Sequence, residues 1–230
     1  IQILNETDTH TDNYRFLGSF YGVVNLMKGL TFKSSFYSDV MYTYDYIYYQ
    51  ADHPYGLGTG RMIDSNRLTT NLTFDNVLNY SRTFGKFDIE GLLGHSFQSL
   101  DSRSSMIDGN GFPSPAFDVI GVASKIAGTN GTFSEYAMES YFGRATLAYD
   151  DKYILNATIR SDGSSKFVRK VRWGTFPSIS LGWNLSNEKF WSNDDFDLKL
   201  RVSYGKTGNQ EGIGNYAALP LISGGLNYDY

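Results

Sequence analysis

The stretch 173–185, WGTFPSISLGWNL, separates into two lists when every second residue is read. Trp173, Thr175, Pro177, Ile179, Leu181, Trp183 and Leu185 form an apolar list with a tryptophan near each end. Gly174, Phe176, Ser178, Ser180, Gly182 and Asn184 form a smaller and more polar one. Such alternation marks a strand whose two faces meet different surroundings. Ten residues of a strand tilted by about 40° and rising roughly 3.3 Å each climb about 25 Å, the height of an outer-membrane apolar band. The tryptophans then fall at opposite interfaces, and the polar list faces an aqueous lumen. Pro177 brings no N–H to a ladder, so a local bulge is expected there.

The same period extends outward in both directions. Strands are read at about 14–27, 30–45, 67–81, 87–98, 139–149, 153–160, 173–185 and 197–207. Connections alternate between tight turns and longer, Gly, Asp, Ser and Asn-rich segments at about 50–66, 101–138 and 161–172. The fold class read from this is all-β: about eight antiparallel up-and-down strands, a segment of a transmembrane β-barrel. Residues 1–230 read as one barrel domain, and the absence of an initiator Met or leader reads as an internal piece of a longer protein.

The polar list carries Arg15, Lys33, Asp39, Arg67, Asp75, Glu90, Arg144, Arg160, Lys199 and Arg201. A wet lumen tolerates such mixed charge and a dry core does not, so these are lumen-facing candidates. Tyrosines 42, 44, 46 and 48 share one face and are expected at the outer girdle. Aromatic residues in the long connections, Tyr49, Tyr55, Phe112, Phe117 and Tyr136, are candidates for substrate or lid contact. Alternation is the same in a soluble β-sandwich, so a carbohydrate-binding sandwich stays open, as does a small self-contained barrel acting as an anchor or adhesin.

The chain has 230 residues and no cysteine, so disulfides, thiolate metal sites and cysteine nucleophiles are excluded. A net charge of −4 leaves no footprint for nucleic acid. No apolar run is long enough for a transmembrane helix. His10, His53 and His95 are isolated and read as surface or lipid-boundary residues. The paired acids Asp150–Asp151 and Asp194–Asp195 read as solvated turn residues. Neither GLGTG (56–60) nor DGNG (108–111) follows a strand and opens a helix, as a phosphate loop must. No enzyme, metal or cofactor is expected.

Three stretches in the second half carry a family resemblance: YFGRATLAYDDKYILNATIRSDGSSKF (141–167), RWGTFPSISLGWNLSNEKFW (172–191) and LKLRVSYGKTGNQEGIGNYA (198–217). They resemble the SusC/RagA family of TonB-dependent outer-membrane transporters, and 14–40 and 74–97 look like its earlier barrel strands. The resemblance implies eight strands of a barrel of 22, lying in lipid of the cell outer membrane. It implies import of oligosaccharides or oligopeptides, with a SusD-like surface lipoprotein as lid and energy delivered by TonB through a plug and N-terminal parts outside this chain. By resemblance Asp162, Gly163, Ser164, Ser165 and Phe167 belong to a loop motif beside Arg172, Trp173 and Gly174. Gly208, Asn209 and Gln210 mark the segment after the last strand.

Overall fold

A computed structural model describes residues 7–191, apart from 115 and 118, and residues 196–219. Asp194 and Asp195 lie outside the described residues. Eight antiparallel strands form one sheet in chain order: β1 (Thr7–Met27), β2 (Leu30–Tyr49), β3 (Arg61–Phe84), β4 (Phe87–Asn110), β5 (Lys125–Tyr149), β6 (Tyr153–Ser164), β7 (Trp173–Asn184) and β8 (Lys199–Gly205). Every neighbour in the sheet is a neighbour in sequence, the up-and-down order expected from the alternating connections.

The short connections are tight turns, two residues long between β1 and β2 and between β3 and β4 and three between β5 and β6. Gly29 and Gly85 have φ of 83° and 60°. A β-carbon on Gly29 would sit 2.4 Å from the Ser81 carbonyl oxygen, which leaves room for glycine alone. Between β5 and β6, Asp150 and Asp151 both take positive φ, 52° and 56°, the pattern of a type I′ turn. The Lys152 N–H closes that turn on the Tyr149 carbonyl at 2.9 Å.

These turns are cross-linked. Asp150 accepts from Lys86 Nζ at 2.8 Å and lies 3.5 Å from Lys152 Nζ. In the link after β7, Glu188 accepts from the Tyr153 hydroxyl at 2.6 Å and from Trp183 Nε1 at 3.1 Å, with Lys152 Nζ 3.3 Å away. The Lys86 hydrogen bond holds the Asp150 carboxyl below its ordinary range, and the Tyr153 and Trp183 donors do the same for Glu188. Of the turn acids, Asp150 is therefore ion-paired rather than merely solvated.

Two expectations are corrected here. The connection 101–138 is mostly strand: β4 runs on to Asn110 and β5 begins at Lys125, so the loop is 111–124. Likewise β3 begins at Arg61, shortening the first long connection to 50–60. Both flanks of the longer loop are polar on two sides and show no alternation, which hides a strand from a period-two reading. The second correction is Pro177. The β6–β7 register runs unbroken from Tyr153↔Trp183 to Gly163↔Trp173 with Ile159↔Pro177 inside it, so no bulge forms. The Pro177 carbonyl accepts from Lys206 N at 3.0 Å. Its missing N–H therefore points to the β8 side, where the ladder begins only at Ser178↔Gly205. Proline thus sits where the β7–β8 ladder ends and forgoes only the bond reciprocal to the one from Lys206.

The residues divide into two compact units: the residues up to Gly18 with Ser38–Leu72 and Ser99–Glu135, and Ser19–Tyr37 with Thr73–Gln98 and the residues from Tyr136 on. In the first, Met62 is fully buried among Tyr46, Tyr48 and Phe112, each under 10% exposed. Loop 111–124 is tied to loop 50–60 by Gly111 N–H to Gly60 O (3.1 Å) and Phe112 N–H to Thr59 O (2.9 Å). Tyr46 and Tyr48 are thus packed against loop residues rather than at a lipid girdle, while Tyr42 remains exposed. The second unit contains β6 to β8 and the cross-linked turns.

Candidate functional site: the polar face and its loop end

The printed registers of β5 to β8 sort the side chains into rows. Leu147, Leu155, Leu181 and Val202 face one another across four strands, as do Ala145, Ala157, Ile179 and Tyr204. Tyr149, Tyr153, Trp183 and Leu200 bound this apolar face near the turns. Toward the other end it carries Tyr141 and Trp173, whose rings are 5.9 Å apart. Trp173 lies over Gly163, where a β-carbon would come within 2.8 Å of the indole. The tryptophans of the opening stretch therefore sit on one face, at its two ends. Ile179 and Leu181 are 50% and 59% exposed, a large uncovered apolar surface that fits lipid.

The opposite rows are polar. Thr146, Asn156, Ser180 and Ser203 form one. The Thr146 hydroxyl donates to Asn156 Oδ1 at 2.8 Å, and Asn156 Nδ2 donates to Ser180 at 3.3 Å. Phe142, Arg160 and Phe176 form the next row but one. Arg160 lies over the Phe142 ring at 5.4 Å, donates from Nε to Asp162 at 2.7 Å and from Nη2 to the buried Ser140 hydroxyl at 3.0 Å. Such a satisfied network suits a wall next to water.

The other lumen-facing candidates take varied places. Arg15 and Asp39 form a two-bond ion pair, both contacts 2.8 Å. Lys33 lies 4.7 Å from the Tyr21 ring. Asp75 accepts from Ser96. Glu90 and Arg144 line one hollow of about 210 Å³. Arg67, Lys199 and Arg201 are exposed.

The loop aromatics do not form one group. Tyr49, His53 and Tyr55 cluster with ring separations of 4.8 to 5.6 Å, and Tyr55 is 62% exposed. His53 is 6% exposed and accepts the Tyr55 N–H on Nδ1, so it is interior to its loop rather than on the surface. His10 stacks on Tyr46, and His95 lies 3.1 Å from Glu139 Oε1. Phe117 is exposed, whereas Phe112 is committed to the core under the loops. Tyr136 is not a loop residue: it lies in β5, with its hydroxyl 2.6 Å from Gln210 Nε2.

The motif residues marked by resemblance come together. Asp162, Ser164, Phe167, Arg172, Gly174, Gly208, Asn209 and Gln210 line a single cleft of about 200 Å³, with Phe176 and Met138. Phe176 is seated over two glycines: a β-carbon on Gly174 would lie 2.8 Å from its ring and one on Gly208 2.4 Å. Gly163 and Trp173 instead meet on the apolar face, and Ser165 continues the pairing with β5 through Ala137. Sequence reading missed the cations between β6 and β7: Lys166, Arg169 and Lys170 stand with Arg172 in a stretch, 163–187, without one acid. That run was the available signal.

A family model described as TonB dependent receptor-like, beta-barrel matches residues 3–228. TonB-dependent receptor P39 of Formosa agariphila is 31% identical over 227 residues, 95% of this chain and 22% of that protein. TonB-dependent receptor SusC of Bacteroides thetaiotaomicron is 32% identical over 173 residues, 73% of this chain and 17% of SusC. A solved structure of the RagAB peptide transporter is similar in fold, with a TM-score of 0.88 at 23% identity over 93% of this chain and 24% of that one. The chain spans about a fifth of the length of these curated relatives.

Proposed function

Because the chain belongs to the TonB dependent receptor-like β-barrel family, of the SusC/RagA type and thus of the outer membrane, we propose that it is part of the wall of a nutrient importer. The polar face lines the pore, the apolar face meets lipid, and the long-loop end receives oligosaccharide or oligopeptide. Tyr55 and Phe117 are the exposed ring contacts at that end, with Tyr49 behind Tyr55 and Phe112 holding the loop pair together. A SusD-like lipoprotein closes over the loops, and TonB acts through other parts of the full protein. The wall is passive: it offers hydrogen-bonding rows and charges without chemistry of its own.

The observation that carries this reading is the division of rows across β5 to β8, Leu147–Leu155–Leu181–Val202 on one side and Thr146–Asn156–Ser180–Ser203 on the other. A dry sandwich core would leave the second row solvated and cover the first; a pore wall in lipid uses both as they stand. The test is a strain lacking the full receptor, grown on a panel of glycans and peptides. Loss of growth on one nutrient, with a surface lipoprotein copurifying with the receptor, is expected. Unchanged growth on the whole panel and a receptor that purifies alone would contradict it.

A further inference from the structure

We propose that the cleft between the β6–β7 link and the segment after β8 takes a carboxylate group of the passing ligand, so that the imported molecule is anionic. This rests on the reading of the polar face as a pore wall and adds the charge class of what passes.

The first observation is charge. The link 165–172 carries Lys166, Arg169, Lys170 and Arg172, in a chain whose net charge is −4. Among the described residues none of the four is within an ion-pair distance of an acid. The nearest acid in sequence, Asp162, is occupied by Arg160 at 2.7 Å. Four uncompensated cations on one short link raise the local concentration of anions.

The second is placement. The link is held rather than loose: Ser165 N–H bonds to Ala137 O at 2.9 Å, Ser164 N–H to Arg172 O at 3.2 Å and Val171 N–H to Val168 O at 3.0 Å. Arg172 shares the polar parity of Gly174 and lines the cleft. Lys166 lies 5.1 Å over the ring of Tyr136, which fixes its ammonium beside the same cleft. The two cations are thus aimed at the pore side, which separates them from a lipid-headgroup site on the apolar face.

The third is an unmet hydrogen-bonding group. Gln210 lines the cleft with Nε2 on the Tyr136 hydroxyl at 2.6 Å and 3.4 Å from Met138 Sδ, and its Oε1 is buried with no partner. A separation of 2.6 Å is typical of a hydroxyl donating to an oxygen and short for an amide N–H donor. With the amide reversed, Tyr136 donates to Oε1 and the NH2 is the free end. A carboxylate in the cleft pairs with the guanidinium of Arg172, a planar pairing that suits it, with the Gln210 amide on the same wall. The volume, about 200 Å³, accepts one sugar ring or one residue of a peptide.

The test uses the purified full-length receptor and four probes: trigalacturonate, its methyl ester, N-acetyl-trialanine and N-acetyl-trialanine amide. Isothermal titration is expected to give binding of at least one carboxylate probe, about tenfold or more tighter than its neutral counterpart and weaker as salt rises. Which carboxylate probe binds identifies the source, acidic saccharide or peptide terminus. Arg172→Gln and Lys166→Gln should each weaken it about tenfold; if one does not insert, the other carries the test. Equal binding of charged and neutral probes, no binding of any, or unchanged affinity in both variants would overturn the proposal. A receptor that supports growth on a nutrient yet binds no probe removes the charge class and leaves the import reading standing; a deletion strain without a growth defect removes the import reading itself.

Discussion

The ring of Phe176 occupies the space that a β-carbon on Gly208 would need, 2.4 Å from the position such an atom would take. Gly208→Ala must push the ring out of the cleft or move the segment behind β8. Overpacking of this kind costs about 1 to 3 kcal/mol. The melting temperature of the full receptor should fall, and adding Phe176→Leu should restore most of it. A variant as stable as the parent would show that the ring has another seat.

Asp151 takes φ of 56° in the three-residue turn between β5 and β6. That conformation costs a β-carbon roughly 1 kcal/mol and costs glycine nothing. Asp151→Gly should raise the unfolding midpoint and Asp151→Val should lower it, by amounts of that order. Denaturant titration of the receptor reads both.

Acid should loosen the turn end first. Asp150 and Glu188 have carboxyl pKa values below their ordinary 3.8 and 4.5 in the folded chain. A depressed folded value means that the stabilisation is complete above the unfolded pKa and is lost as pH falls through the folded one. Stability should therefore be flat near neutrality and fall from about pH 4 downward. Asp150→Asn removes one of the two groups, so the fall should be shallower in that variant. Thermal unfolding from pH 7 to 2 checks the slope.

Met62 is fully buried with Tyr46 and Tyr48 of β2 and Phe112 of loop 111–124. Met62→Ala opens a cavity worth about 2 to 5 kcal/mol. Because loop 111–124 packs into that core and is bonded to loop 50–60, both should become protease-sensitive together. Limited proteolysis with mass readout should find cuts in both; cutting in one alone would mean that the backbone bonds between them hold without the core.

Much of this architecture is legible in the sequence because barrel strands alternate by necessity. Trp173, Ile179, Leu181 and Trp183 mark a face by their spacing alone, and the tight turns at Lys28–Gly29 and Asp150–Lys152 mark the hairpins. The lengths of β3, β4 and β5 were not legible, since 99–110 and 125–138 are polar on both faces and contain no period to read. The cleft was half visible. Its motif residues were marked, but their convergence depends on register: only the β6–β7 pairing and the fold-back after β8 bring Asp162, Arg172 and Gln210 to one place. Burial was the least accessible quantity, as Phe112 and His53 show, because a loop that packs on itself has no sequence period.

The central claim is that one face of this sheet meets water and the other lipid, and neighbouring residues on β7 test it most directly. The chain has no cysteine, so Ser180→Cys and Leu181→Cys each place a single thiol in it. Both variants of the full receptor, in intact outer membranes, are treated with a membrane-impermeant maleimide. Leu181 is 59% exposed in the isolated chain, yet lipid should shield it. The account predicts labelling of Ser180→Cys and little or none of Leu181→Cys. Equal labelling, or the reverse order, would contradict it.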